Sequence, residues 1–436
     1  MRCTRSIMHR IILSCMVLLL FPALIQATTW YVATTGDDVQ NDCNEAQIIG
    51  TPKKTINAAL ACVGFSAGAG AGDLVQVASG TYTETIGTWP SGSSSSQFVL
   101  KSATQYGTII RPTGSSQILY FSSDYVTVDG FVIDGVNTDA NNVWFNPTTG
   151  VILQNCEIKN TRTGGEPGIG SFQAIYSTNA TGAIIRNNLI HDVGTSFSNH
   201  ASHGIYWGSF NSTIEGNTIH TISGWGMQIY SSSASNLNNN IIGGNRIYNY
   251  SKGGSAGGIY IGNGTNNTAY NNVIYEPTFN ASAYCFIIAD SGNKVWNNTC
   301  YNNAVGIDTS NASSAEVRNN IAYIGGVNFG GGTVFSNNFT SDPIFVNISA
   351  GDFHLQSGSP AINVPGATLT AFVTDFDGVS RPQGANWDLG AYEKVLSSPT
   401  VTMTGPGNGA TVSGPSVTVS ANATPSAGTS IAGVQF

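Results

Sequence analysis

Charge is what this chain has least of. Asp, Glu, Lys and Arg supply 9% of its 436 residues, against about a quarter in an average globular protein. The net charge is −8 and no basic run occurs, which argues against a nucleic-acid partner. Helical periodicity is nearly missing too: only Thr55-Ile56-Asn57-Ala58-Ala59-Leu60-Ala61 places apolar residues at i, i+3 and i+4. Past residue 27 no apolar run is long enough to cross a bilayer, so the mature chain is expected to have no transmembrane segment. Low charge alone would suit disorder, but 41% of residues are apolar and they return with a period.

The period is carried by Asn-Asn-x-Ile-Tyr and its variants. The copies are Asn155-Cys156-Glu157-Ile158-Lys159, Asn187-Asn188-Leu189-Ile190-His191, Gly216-Asn217-Thr218-Ile219-His220 and Gly244-Asn245-Arg246-Ile247-Tyr248. They continue as Asn271-Asn272-Val273-Ile274-Tyr275, Asn297-Asn298-Thr299-Cys300-Tyr301, Asn319-Asn320-Ile321-Ala322-Tyr323 and a partial Asn337-Asn338-Phe339. The fourth residue recurs at steps of 32, 29, 28, 27, 26 and 22 between Ile158 and Ala322. A non-helical repeat of that length predicts an all-β solenoid.

Each coil reads as three short strands. The first begins at sites such as Ala174-Ile175-Tyr176 and Gly204-Ile205-Tyr206, the second ends just before the Asn pair, and the third is x-Ile-Tyr. Alternation turns Ile175, Ile205, Ile229, Ile259 and Ile307 inward, together with Ile158, Ile190, Ile219, Ile247 and Ile274. Asn188, Asn217, Asn245, Asn272, Asn298, Asn320 and Asn338 form a column at the turn, where Asn tolerates a left-handed backbone and its amide can bond the copies above and below. That column is read as structural. Gln97 to Asp134 reads as two irregular rungs, and Arg186 with Glu215 as a cross-strand ion pair.

The two ends differ from the middle. Residues 1–27 have the charged start, apolar core and small Ala27 of an export signal. Of the remaining cysteines, Cys43 and Cys62 are expected to pair; Cys285 and Cys300 either bridge or pack as core thiols; Cys156 is free. No cysteine has zinc-ligand spacing with nearby histidines. The helix near Ile56 is expected to plug the open end of the solenoid. Asp375-Phe376-Asp377-Gly378 reads as a turn more readily than as a calcium loop.

Tyr31-Val32 with Gly36-Asp37-Asp38, the Thr55–Ala59 helix, Gly72-Asp73 and Gly80-Thr81-Tyr82-Thr83-Glu84 resemble the start of secreted right-handed parallel β-helix proteins of the pectate-lyase-like superfamily. The resemblance covers roughly residues 30–393. It implies a single-stranded right-handed parallel β-helix of about ten coils over 28–340, but no one activity. Residues 341–396, with Asp342-Pro343-Ile344-Phe345, Gly358-Ser359-Pro360-Ala361 and Asp388-Leu389-Gly390-Ala391-Tyr392, resemble the closing segment of choice-of-anchor Q domain proteins. Residues 397–436 resemble the first strands of a bacterial Ig-like sandwich, cut short.

Outward columns and long loops hold the chemistry. Tyr176, Tyr206, Tyr230 and Tyr260, with Trp207 beside them, are expected on the outside of the first sheet. Lys159, His191, His220, Tyr248, Tyr275, Tyr301 and Tyr323 are expected on the outside of the third. Aromatic faces along a groove suit pyranose rings, so the Tyr set, Trp207, His191 and His220 are the candidate contacts for a polysaccharide partner. The longest loops, Asn160–Gln173 and Asp192–His203, gather titratable groups. β-Elimination of a uronic acid needs a base and a cation to neutralise the carboxylate. His200 or His203 is the candidate base, and Arg162 or Lys252 the neutraliser. Calcium, the usual helper in related lyases, would find Glu166, Asp192 and loop carbonyls, although nothing in the spacing requires it. A pectinase-style hydrolase is disfavoured because its carboxylate cluster is missing. The sequence therefore predicts an exported, monomeric, polysaccharide-interacting β-helix: a lyase, or a non-catalytic surface adhesin.

Overall fold

The computed structural model describes residues 27–64, 70–136, 138–161, 172–194, 201–231, 237–330, 332–395, 400–425, 431 and 433–435. The export signal, apart from Ala27, lies outside these residues.

The repeat becomes a right-handed parallel β-helix with three parallel sheets, numbered here by the strand order within a coil. The second sheet contains twelve strands, from Thr29–Val32 to Val334–Ser336. The first and third sheets merge where Val273–Ile288 and Thr299–Asp308 run through the corner between them. Leu153, Ile185, Ile214 and Ile242 of the second sheet, Ile158, Ile190, Ile219 and Ile247 of the third, and Ile175, Ile205 and Ile259 of the first are all 0% exposed. They stack in register through parallel pairing. Gln97–Asp134 is regular after all: Phe98–Ser102, Thr108–Arg111, Leu119–Phe121 and Val126–Asp129 pair with the later coils in full register. The Asn pair that marks a coil is missing there, so the motif does not show that these two rungs keep the register of the rest.

The two residues of the Asn pair have separate jobs. The first turns the corner: Asn155, Asn187, Asn271, Asn297, Asn319 and Asn337, with Gly216 and Gly244, have φ between 50° and 63°. In this left-handed region Asn and Gly are tolerated best. The second residue builds the ladder. Asn217 Oδ1 accepts the backbone N–H and Nδ2–H of Asn188, both at 3.0 Å, and the same pair of bonds recurs down to Asn338. The expected left-handed turn therefore belongs one residue earlier than the ladder. A second ladder occupies the corner between first and second sheets: Asn240 Oδ1 accepts from Ser212, Asn267 Oδ1 from Asn240, and Asn293 Oδ1 from Asn267.

The helix Ile56–Val63 closes the upper end, burying Ile56, Ala59 and Leu60. Thr55 caps it through Ala58 N–H, and Glu84 accepts the backbone N–H groups of Ile56 and Asn57. A carboxylate suits the free amides and positive dipole of a helix start. Cys62 ties this helix to Cys43, and Cys285 is bonded to Cys300 inside the solenoid, while Cys156 is buried and free. Replacing Cys43 and Cys62 by serine is expected to lower stability by about 3 kcal/mol through the released loop, measured as a fall in urea midpoint relative to the oxidised protein.

Residues 341–395 fold back over the outside of the third sheet instead of extending the solenoid. Phe353 packs on Tyr275 and Tyr301 at 4.8 and 5.6 Å. Asn271, Asn297 and Asn319 donate from their side chains to Thr374, Asp388 and Ala367 carbonyls. Arg381, whose side chain is 0% exposed, pairs with Glu393 at 2.9 Å. Asp375 shapes a turn, accepting backbone N–H from Asp377, Val379 and Glu393. Thr400–Gly405 and Ser420–Thr424 form an antiparallel hairpin. Arg186 directs Nε and Nη2 to Gln154 Oε1, at 2.9 and 2.8 Å, instead of to Glu215.

Candidate functional site

The outer face of the first sheet carries a continuous row of rings. Register aligns Tyr120, Trp144, Tyr176 and Tyr206, then Gln228 and Tyr260. Tyr230 stands two residues past Gln228, just beyond the end of the strand Met227–Ile229, and fills the gap, 6.3 Å from Tyr206 and 6.0 Å from Tyr260. At the lower end Trp225 continues the row to Tyr260 at 5.4 Å and Tyr284 at 6.5 Å. Tyr120 and Trp144 were not anticipated. Leu119-Tyr120-Phe121 and Val143-Trp144-Phe145 have the same apolar–aromatic–apolar pattern as the recognised coils, and that pattern would have found them.

Ring orientation decides what each face can hold. On the first sheet the pairs Tyr120–Trp144, Trp144–Tyr176, Tyr206–Tyr230 and Tyr230–Tyr260 stand at 84°, 80°, 86° and 73°. Perpendicular neighbours leave at least one ring face of each pair uncovered by the row itself. Between Trp144, Tyr176 and Tyr206 opens a cavity of about 370 Å³, with Asn141 and Gln173 supplying amides. The Tyr206 hydroxyl is pushed up to about 12, by burial first and then by Tyr176 and Tyr230, so it remains a hydrogen-bond donor. On the third sheet His191, His220, Tyr248 and Tyr275 stack at 10°, 19° and 15° with centroids 5.1, 4.9 and 5.2 Å apart. Those rings cover one another and present edges outward, and lower down the closing segment covers them. His220, expected to contact sugar through its face, is stacked on both sides, and His191 at the end of the stack has one face covered by His220.

The acid–base groups are dispersed among structural tasks. His191 lies between two carboxylates, Nδ1 2.7 Å from Asp192 Oδ2 and Nε2 3.0 Å from Glu157 Oε1, and Lys159 Nζ also reaches Glu157. Burial, then His191, hold the His220 imidazole below its usual range, against the pull of Asp192. Asp192, the proposed calcium ligand, is thus engaged by His191. Among the described residues no group of three or more His, Cys, Asp or Glu is arranged to hold a metal ion. His203 is 6% exposed, stacks on Tyr206, and accepts the Trp225 backbone N–H on Nδ1 at 2.9 Å. That lone pair is spent on structure, which argues against His203 as the base. Trp207 is 0% exposed and packs edge-on against Phe145 in the core. Small Ser177 occupies the matching position one rung above, leaving room for the indole. Trp207 is therefore a core residue and makes no surface contact. Arg162, Glu166 and His200 lie outside the described residues.

Lys252 sits at the corner between the third and first sheets. The N–H groups of Ser251, Lys252 and Gly253 donate to Gly224, Ile222 and Ser223, the residues just before Trp225, which fixes this corner beside the lower end of the ring row. Lys252 Nζ lies 3.5 Å from Glu276 Oε2. Glu276 was not anticipated as a site residue. Its strand runs through the corner without a turn, so its carboxylate is carried inside.

Comparison with known proteins agrees with the architecture. The family described as right handed beta helix region matches residues 116–274. No curated protein matches the chain. Pectate lyase Pel9A superimposes with a TM-score of 0.64 at 16% identity, covering 84% of this chain and 96% of its own. A rhamnogalacturonan lyase gives 0.47 at 13% identity, over 78% of this chain and 97% of its own. The PL6 family alginate lyase AlyGC gives 0.48 at 16%, over 69% and 41%. At 16% identity the likeness to Pel9A establishes the fold alone. No helix among the described residues is long and apolar enough to cross a membrane.

Proposed function

We propose that this right-handed parallel β-helix binds a polysaccharide along the outside of its first sheet. The observation that carries the reading is the contrast between the two aromatic faces: on the first sheet Trp144 stands perpendicular to Tyr176, and Tyr176 is tilted 33° from Tyr206, around an amide-lined cavity, whereas the rings on the third sheet cover one another. A pyranose needs an uncovered π face for its C–H groups and nearby donors for its hydroxyls. Trp144 and Tyr176 supply the faces, and Asn141 and Tyr206 the polar contacts, while the Gln173 amide is held by Ala201 and His203. Two disulfides suit an oxidising compartment, and we place the protein outside the cytoplasm, secreted or at the cell surface.

The test is glycan affinity. Trp144→Ala and Tyr206→Ala should each weaken binding about tenfold, the scale of one lost stacking contact, whereas Tyr248→Ala in the third-sheet stack should leave affinity unchanged. Titration calorimetry against a panel of uronic-acid and neutral polysaccharides reads this out. Equal losses in all three variants would sink the assignment to the first sheet.

β-Elimination is the second reading, favoured by Lys252, a partly exposed cation held at the end of the row. In that version Lys252 neutralises the uronate and His200 is the base. Absorbance near 235 nm on uronic-acid polymers separates a lyase from a non-catalytic binder. A rise abolished by His200→Ala supports the lyase; a flat trace with intact binding leaves the adhesin.

A further inference from the structure

We infer, resting on the polysaccharide reading, that Lys252 and Glu276 form an acid-sugar subsite at the lower end of the ring row. In it Lys252 holds a ligand carboxylate and Glu276 is a positioning residue whose own charge governs how strongly it does so.

The geometry is a carboxylate buried beneath a cation that reaches solvent. The Glu276 side chain is 0% exposed and that of Lys252 is 30% exposed. Glu276 Oε1 accepts the Tyr250 backbone N–H at 3.0 Å. Oε2 has no hydrogen-bond partner and faces the Lys252 ammonium at 3.5 Å. Groups packed around it do not compete for its charge. Asn302 donates to the Glu276 carbonyl, and Asn303 accepts the Tyr250 hydroxyl; neither asparagine titrates. Tyr250 is pushed well above its ordinary value by burial, then by Glu276, and stays neutral. Among the described residues Lys252 is thus the ion that answers Glu276.

A ligand carboxylate arriving at Lys252 competes with Glu276 for one positive charge. With Glu276 ionised the pair is neutral overall and a uronate gains little. With Glu276 protonated, Lys252 carries an uncompensated charge and the uronate gains a full ion pair. Burial raises the Glu276 carboxyl from 4.5 to about 7, outweighing the pull of Lys252 and the Tyr250 N–H. The exchange therefore falls near neutral pH, where a sugar carboxylate remains ionised.

The experiment is calorimetry with the full chain at pH 6 and pH 8, using galacturonate and mannuronate hexamers beside neutral xylo- and cello-hexamers. Wild type should bind a uronate hexamer several-fold tighter at pH 6 than at pH 8, with neutral hexamers unaffected. Glu276→Gln should bind it equally at both pH values, at the tighter level, and Lys252→Met should lose the preference for acid over neutral sugar. A Glu276→Gln protein that retains the wild-type pH shift overturns the subsite, as does Lys252→Met retaining the preference. Binding of neutral hexamers without any pH-dependent gain for uronate overturns the subsite alone. Failure of every hexamer with every protein overturns the polysaccharide reading and the subsite together.

A thermal melt supplies an independent readout. A carboxyl raised on folding contributes stability that is fully present below 4.5 and lost as pH rises through about 7. Glu276→Gln should therefore gain in melting temperature relative to wild type across that window. An unchanged difference would mean that Glu276 does not titrate there and would overturn the mechanism.

Discussion

Asn245→Ala should cost about 3–5 kcal/mol and shift the urea midpoint far more than any surface change in the same coil. Asn245 is 0% exposed. Its Oδ1 accepts two N–H groups from Asn217, and its Nδ2 donates to Ile214 O and Asn272 Oδ1 at 2.9 Å. Alanine leaves the Asn217 backbone N–H unpaired in a site that water cannot reach, at about 1–3 kcal/mol, and also removes the bonds to the Asn217 amide, Ile214 O and Asn272 Oδ1. The carboxylate of Asn245→Asp would keep the acceptor but lose both donations and bury a charge, so it should fare no better. Thr213→Ala, on the partly exposed face of the second sheet, should cost less than about 1 kcal/mol. Equal effects from Asn245→Ala and Thr213→Ala would show that the ladder contributes no more than ordinary packing.

The second large effect concerns the closing segment. Arg381→Met should cost about 3–5 kcal/mol, because removing one partner of a buried pair strands the other. The guanidinium donates to Glu393 Oε2, to the Asp388 and Gly390 carbonyls and to Asn271 Oδ1, joining the closing segment to a solenoid corner 110 residues away. The Glu393 carboxyl is already raised by burial and then by Asp388, against the pull of Arg381. Without Arg381 it rises further, so the variant should be less stable at pH 8 than at pH 5 relative to wild type. The double variant Arg381→Met/Glu393→Gln should recover most of the loss. Limited proteolysis within 341–395, compared with the urea midpoint, distinguishes release of this segment from global unfolding. A protease-resistant single variant would refute the docking role.

The solenoid was legible because its information is local and repeated. Ile158, Ile190 and Ile219 declare one inward column by spacing alone, and Ile56, Ala59 and Leu60 declare the cap helix. What stayed illegible depends on a residue in another coil. Trp207 had the inward parity of Ile205, but only the small Ser177 a rung above explains how an indole fits inside. Tyr230 was aligned with Tyr206, whereas pairing sets Gln228 there, a shift invisible without the neighbouring strand. Covering of Tyr275 and Tyr301 by Phe353 comes from a segment the repeat does not describe. Glu276 carries no signal in the sequence because its coil omits the corner turn that Asn249 makes one rung above, at φ 55°. The ring row is half legible: Tyr176, Tyr206 and Tyr260 sit in coils that carry the motif, whereas Tyr120 sits in a coil without the Asn pair and Trp144 in the one where Cys156 replaces its second Asn.

The two ladders also act as a ruler. Ser212 and Asn217, Asn240 and Asn245, Asn267 and Asn272, and Asn293 and Asn298 stand five residues apart in successive coils. The chain between neighbouring rungs meanwhile varies from 32 residues to 18 along the main ladder. Length is therefore counted strictly on one side of the molecule and left free on the other. An inserted or deleted residue in the second sheet misaligns both ladders at once, while the same change in the arc through the third and first sheets alters only the outline of a loop. Variation is thereby channelled onto the side that bears the ring row, and a lineage can reshape what this surface grips without renegotiating the frame that holds it.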